Sequence, residues 1–196
     1  LTVVLPRIIT FVSNRDGNNE IYVMGVDGQN QINISNNSAE DTFPSWSPDG
    51  KKIAFVSERD GNPEVYRMKS ASGGNKRRLT ENDAADYHPS WSPDGRTIAY
   101  AATQEGLLGN WDVYVLQVDS GQTANRTADD LGDVRSPAWS RDGRFFAYID
   151  TDMLGNSGAQ LWVLQVADGV TFPITGEETS PWSPIWSKDS AHLYFV

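Results

Sequence analysis

Short runs of alternating apolar and polar residues recur along the whole chain, and no long stretch carries the three- and four-residue spacing of an amphipathic helix. Ile53-Ala54-Phe55-Val56, Ile98-Ala99-Tyr100, Phe146-Ala147-Tyr148 and Leu193-Tyr194-Phe195 are rich in β-branched and aromatic residues. Such side chains fit a pleated, half-buried surface, so these runs predict strands. A second set predicts further strands at Glu20 to Met24, Glu64 to Met68, Asp112 to Val118 and Gln160 to Val166. Turns such as Val26-Asp27-Gly28 and Ser72-Gly73-Gly74 follow, leading to a last short strand such as Arg78-Leu79-Thr80.

The strands are organised by an internal repeat. SWSPDG occurs at Ser45 to Gly50 and again at Ser90 to Gly95, AWSRDG at Ala138 to Gly143, and IWSKDS at Ile185 to Ser190. The tryptophans Trp46, Trp91, Trp139 and Trp186 are therefore 45, 48 and 47 residues apart. In the last unit Ser190 replaces the turn glycine and Trp182 competes for the register; the spacing selects Trp186. Four short strands in each unit of about 45 residues predict an all-β fold of four four-stranded β-propeller blades. The units run over residues 7–43, 44–88, 89–136 and 137–183, and 184–196 close or start a blade. The four indoles are expected to pack between neighbouring blades, and the Asp-Gly pairs to form hairpin turns.

This grammar resembles the repeat of the TolB-type propellers over nearly the whole chain, most clearly in FVSERDGNPEVYRMKSASGGNKRRLTENDAADYHPSWSPDGRTIAY. Members of that family start, like residues 7–34, without a Trp strand, because a strand from the chain's end completes the first blade. Leu193 to Val196 then has no place in a closed four-bladed ring. Three arrangements stay open: part of a larger propeller, a homodimer completing an eight-bladed ring through its exposed edges, or a four-bladed ring with a frayed tail. The resemblance implies a periplasmic or secreted compartment.

Composition narrows the chemistry. The chain has no cysteine, which removes disulfides, thiolate metal sites and Cys nucleophiles. The opening LTVVLP is far shorter than the ~20 apolar residues that span a bilayer. Neither a signal peptide nor membrane insertion is expected from it. A formal charge of −10 argues against nucleic acid, whose binders cluster Lys and Arg.

That charge is unevenly placed. In a propeller the turns after the first and third strands lie on one face, and those after the second and fourth on the other. The second group comprises 13–20, 57–64, 102–112, 150–160, 35–43, 80–88, 126–136 and 175–183. It holds 19 of the 26 acidic residues but only 4 of the 16 basic ones. An acidic rim of this kind suits a protein or peptide of basic character, although acids also favour turns and keep surfaces solvated.

Candidate contacts on the rim are Asp41, Phe43, Asp86, Tyr87, His88, Trp111, Asp133, Arg135, Asp152 and Trp182. The three carboxylates Asp41, Asp86 and Asp133, each just ahead of a blade Trp, are also expected to accept backbone N–H groups of the inter-blade loop. The insertions Gln104 to Trp111 and Thr151 to Asn156 are the least repetitive segments and the first place to look for a protein-binding patch.

Asn14, Asp16, Asn18 and Glu20 put oxygens at alternate positions, as a calcium loop does, and Asp60, Asn62 and Glu64 repeat them. The twelve-residue pattern is incomplete, so calcium is a candidate only there and at Asp150 with Asp152; no other cofactor is expected. The two histidines, His88 and His192, do not form a cluster in sequence, and no GxSxG, P-loop or HExxH element occurs. The expected function is a non-catalytic binding scaffold. The alternatives are an accessory or gating propeller of a peptidase or hydrolase, and a carbohydrate-binding or lytic propeller.

Overall fold

The computed structural model describes residues 8–103, 111–128, 132–151, 158–176 and 181–196, and all regular structure in them is β-strand. Blade I contains β1 (Ile8–Ser13), β2 (Glu20–Gly25) and β3 (Ile32–Asn33). Blade II contains β4 (Asp41–Trp46), β5 (Lys52–Ser57), β6 (Glu64–Lys69) and β7 (Arg77–Arg78). Blade III is β8 (Asp86–Trp91), β9 (Thr97–Thr103), β10 (Trp111–Gln117) and β11 (Thr123–Asn125). Blade IV is β12 (Asp133–Trp139), β13 (Phe145–Thr151), β14 (Gln160–Gln165) and β15 (Thr171–Pro173). A hairpin of β16 (Ile185–Trp186) and β17 (Leu193–Tyr194) opens blade V. Within each blade every strand pairs antiparallel with its neighbour in sequence, as the repeat predicts.

The first hairpin of each repeat is built by its own side chains. In blade II the Ser47 hydroxyl donates to Asp49 Oδ1 at 2.7 Å and accepts the Lys52 N–H at 2.9 Å. Asp49 Oδ1 also accepts the Lys51 N–H at 3.0 Å. Ser92 with Asp94, Ser140 with Asp142 and Ser187 with Asp189 repeat the device. The hydroxyl and the backbone N–H hold these carboxyls below the ordinary carboxylate value, Asp142 at about 2. Ser190, standing where the other units have glycine, adopts φ 59° and keeps the turn.

Apolar clusters form between blades more than within them. Ile21, Val23 and Ile34 of blade I meet Ile53, Phe55 and Met68 of blade II, with Trp46 packed against them. Trp91 sits with Ala54 and Val65 of blade II and Ile98 of blade III. Trp139 lies against Val113 and Val115 of blade III and Phe146 of blade IV, and Trp186 against Ala147 and Leu161 of blade IV. Each indole therefore seals one inter-blade boundary, and burying a large side chain this way contributes about 1.5–3 kcal/mol. The Trp186 Nε1–H also donates to Ala138 O of the preceding blade at 2.9 Å.

The innermost strands β4, β8, β12 and β16 surround one cavity of about 290 Å³, lined by the four tryptophans and their serine and proline neighbours. Strands grouped about a shared cavity are the radial arrangement of a propeller. Among the described residues β1 pairs only with β2 and β17 only with β16, so no ring closure is present.

The inner strands start at Asp41, Asp86 and Asp133, three or four residues ahead of the unit starts read from the Trp repeat. They run through a bulge, where the register shifts between Thr42 and Ser45, between Tyr87 and Ser90, and between Arg135 and Ala138. In each bulge the residue before proline has positive φ: Phe43 at 50°, His88 at 54° and Ser136 at 53°, with Ser183 at 49° in the equivalent place. Bulges re-aim side chains, and a non-glycine residue in this region of φ carries strain.

Candidate functional site

The bulges turn Phe43 and His88 toward each other across the boundary of blades II and III, with ring centroids 4.2 Å apart. Tyr87 meets Phe43 edge-on at 5.8 Å and Trp111 at 5.6 Å. The Arg135 guanidinium lies 5.4 Å from the Trp111 ring. It is ion-paired with Asp133 at 3.0 Å, and the other oxygen of that carboxylate accepts the Trp111 N–H at 3.3 Å. Six of the residues read from sequence thus form one continuous shelf crossing blades II, III and IV. Phe43 is 39% exposed and Arg135 is exposed, while Tyr87, His88 and Trp111 are half-buried.

Charge and burial act on this shelf together. Desolvation, helped by the Arg135 charge, pushes the His88 imidazole down to about 4, so the ring is neutral near pH 7. Desolvation and then the Glu58 carboxylate push the Tyr87 phenol up. The shelf is therefore an apolar, uncharged surface except for Arg135, which its own aspartate neutralises.

The remaining candidates lie elsewhere. Trp182, 64% exposed, is tied by backbone hydrogen bonds to Val196 and is not joined to the shelf by a ring contact among the described residues. Asp152 and most of the two insertions lie outside the described residues. Asp41 and Asp86 have no exposed surface and sit beneath the rim, where they cannot touch a partner. Among the described residues they accept side-chain donors in place of the backbone N–H groups expected of them. Asp41 accepts from Asn37 at 3.2 Å and from Arg59 Nη2 at 3.0 and 3.1 Å, and Asp86 accepts from Asn82 at 3.1 Å. The Asx turns are made by Asn37 and Asn82, whose carbonyl oxygens accept the N–H of Ala39 and Ala84. Only Asp133 takes a backbone donor.

The blade III carboxylate differs from that of blade II. Arg59 stacks over Phe55 and Tyr66 while it neutralises Asp41. Asp86 instead has one oxygen without a hydrogen bond and lies near Glu64. Desolvation and then the Glu64 charge push the Asp86 carboxyl up to about 7. Burial also opposes ionisation of Glu64, but Thr80, Asn82 and Arg78 outweigh it and hold that carboxyl below its ordinary value. In blade IV Val134, fully buried opposite Asp150, replaces the aspartate, and Asp133 falls one residue outward.

Of the loop residues suggested for calcium, the carboxylates accept protein hydroxyls and the amides of Asn18 and Asn62 donate to backbone carbonyls. Asp16 and Asp60 accept the hydroxyls of Tyr22 and Tyr66. Asn18 and Asn62 turn their amide N–H groups to the loop carbonyls of Ala39 and Asn82, at 2.7 and 3.0 Å. Glu20 and Glu64 are buried and accept from Ser35 and Thr80. Those hydroxyls in turn accept the N–H of Ile21 and Val65 at 2.8 and 2.9 Å, which clamps the strand to the inter-blade loop. Among the described residues no group of three or more His, Asp or Glu side chains is placed to hold a metal ion.

The sheets define a β-propeller whose long-loop face carries an aromatic shelf. The chain belongs to the family of the TolB beta propeller domain, whose model matches residues 7–109. It is 46% identical over 46 residues to a protein TolB homolog of Chlorobaculum tepidum, a match covering 24% of this chain and 11% of the relative. The Tol-Pal system protein TolB of Desulfosudis oleivorans is 44% identical over 46 residues, 24% of this chain and 10% of that one. The crystal structure of TolB from Acinetobacter baumannii superposes with a TM-score of 0.82 at 21% identity, over 97% of this chain and 46% of that one. An oligogalacturonate lyase in complex with manganese shares the fold at a TM-score of 0.68 and 15% identity, over 90% of this chain and 50% of that one. The chain thus spans about half the length of the solved TolB structure, and its 46-residue matches cover about a tenth of the curated relatives.

Proposed function

We propose that the protein is a non-catalytic binding module that takes a protein or peptide of basic character on the Phe43–Tyr87–His88–Trp111 shelf, within the acidic long-loop rim. The observation that carries this is the shelf itself: aromatic side chains from successive blades held in mutual contact by strained, left-handed bulge residues. Aromatic and Arg clusters of this kind are where binding energy concentrates. The left-handed residue recurs before proline at Ser136 and Ser183, and what distinguishes blades II and III is that it carries an aromatic or imidazole ring there. The acids around the shelf supply attraction at a distance, and the neutral rings supply a dry surface at contact. Kinship with proteins named for the Tol-Pal system supports a protein partner and a periplasmic setting. A lytic reading rests on fold likeness to the lyase and on no group of this shelf. The edges of β1 and β17 that stay unpaired among the described residues are where a second copy of the chain would join.

The test is mass spectrometry of material co-purified with the wild type and with Phe43→Ala/Trp111→Ala, at low and high salt. The reading requires a defined protein partner that is lost from the double variant and weakened by salt. Undiminished capture by the double variant would end it.

A further inference from the structure

The rings of the shelf stand at angles to one another: Phe43 and Tyr87 at 83°, Phe43 and His88 at 52°, Tyr87 and Trp111 at 45°. Rings crossed in this way present ridges with grooves between them, whereas a sugar or a base calls for a flat, open ring face. The polar atoms these rings carry are unspent. Among the described residues the Tyr87 hydroxyl, the Trp111 indole N–H and the His88 ring make no hydrogen bond, and none of them is sealed from solvent. Charge differs between the two sides of the shelf. On the blade II side Glu58 is exposed and makes no ion pair among the described residues. The Tyr87 phenol, pushed up first by burial and then by the Glu58 charge, shows that the two groups are close. On the blade IV side Arg135 is already neutralised by Asp133.

Resting on the reading of the shelf as a protein-binding surface, we propose that it takes a proline-rich segment in the polyproline II conformation, with a basic residue beside the prolines to meet Glu58. That conformation has no internal hydrogen bonds, so its carbonyls are open to the Tyr and Trp donors of an aromatic-lined groove. Pyrrolidine rings are apolar and enter the spaces between crossed rings without burying a charge. Consecutive ring centroids lie 5.8 and 5.6 Å apart, a row comparable to one polyproline turn of ~9 Å. An amphipathic helix spends its carbonyls internally and would leave the Tyr87 and Trp111 donors unmet. An added β-strand fits less well, because the register shifts between Thr42 and Ser45 and between Tyr87 and Ser90 interrupt the ladder at the shelf. With Arg135 neutralised and Glu58 unpaired, the attraction for a cation lies on the blade II side, which fixes the direction of the segment.

The test titrates the full chain with the peptide Arg-Arg-Pro-Pro-Ala-Pro-Pro-Ala, capped at both ends, into the millimolar range, followed by calorimetry and tryptophan fluorescence. Two control peptides replace every proline by alanine, or both arginines by glutamate. Saturable binding with a change in indole emission is expected, at least tenfold weaker for the alanine peptide and severalfold weaker for the glutamate one. Phe43→Ala should weaken the proline peptide severalfold, and Glu58→Gln should reduce the preference for arginine over glutamate severalfold. Both side chains are exposed, and Glu58→Gln leaves every ring in place, so it serves if Phe43→Ala fails to fold. Equal binding of the proline and alanine peptides, no binding of the proline peptide, or an arginine preference unchanged in Glu58→Gln would each overturn the proposal. Should a co-purified partner still be lost from Phe43→Ala/Trp111→Ala while the proline peptide fails to bind, this inference falls and the protein-binding reading of the shelf stands.

Discussion

Phe43 and His88 occupy the same position in consecutive blades, each at positive φ ahead of a proline, and their rings meet at 4.2 Å. The contact joins two blades through side chains that a regular strand would direct elsewhere. It also makes His88 titrate unlike an exposed histidine, with a consequence for stability.

Desolvation, and then the Arg135 charge, lowers the imidazole from an ordinary value of 6.5 to about 4. Between those limits the unfolded chain binds the proton and the folded chain does not. The contribution of His88 is therefore complete above pH about 6.5 and is lost as pH falls toward 4. His88→Phe keeps a ring against Phe43 and removes the titration. In melts from pH about 7.5 down to about 4.5, the wild type should lose several degrees more in Tm than the variant.

Asp86 has the opposite sign. Its carboxyl is raised from 3.8 to about 7, mainly by desolvation and then by Glu64, so the folded chain holds a proton that the unfolded chain releases. Stability tied to this group is present below pH about 4 and lost as pH rises toward 7. Asp86→Asn keeps an oxygen for the Asn82 donor and abolishes the titration. Its Tm relative to wild type should rise by a few degrees between pH about 5 and about 8; a constant difference would contradict the assignment.

Arg59 is the cation that makes the equivalent carboxylate tolerable in blade II. Asp41 has no exposed surface, and Arg59 Nη2 lies 3.0 Å from it. Arg59→Met preserves most of the stem that packs on Phe55 and Tyr66 but strands a buried charge, which costs about 3–5 kcal/mol. Asp41→Asn/Arg59→Met should recover a large part of that loss in urea unfolding, because neither partner is then charged.

Gly73 lies in the β6–β7 turn at φ +62°, and a Cβ there would fall 1.8 Å from the Ile34 carbonyl oxygen of blade I. Backbone blocks the site from outside and conformation from within, so alanine can be accommodated only by separating the blades. Gly73→Ala is expected to destabilise by about 2 kcal/mol or more. The matching change at Gly121, in the equivalent β10–β11 turn with φ +75° and nothing within 4 Å, carries the conformational part alone and serves as its control.

Much of this architecture is legible in the chain because it is local. The Trp spacing reports how often an inter-blade boundary needs an indole, and the SPDG turns are closed by serine and aspartate within six residues. Phe43, Tyr87, His88, Trp111, Asp133 and Arg135 could be named as rim residues because alternation and topology put each near a strand end on one face.

Their joining into one shelf could not be read in this way. It depends on a bulge that turns Phe43 and His88 out of strand geometry, and the residues before Pro44 and Pro89 give only a faint sign of it. The same limit hid the difference between Asp41 and Asp86. They share a motif, but one meets Arg59 and the other a second buried carboxylate. A repeat records what every blade has in common, through hydrogen bonds and packing that recur at fixed separations. Burial, charge pairing and the bulge contacts arise where residues of different strands and blades, distant in the chain, meet in three dimensions.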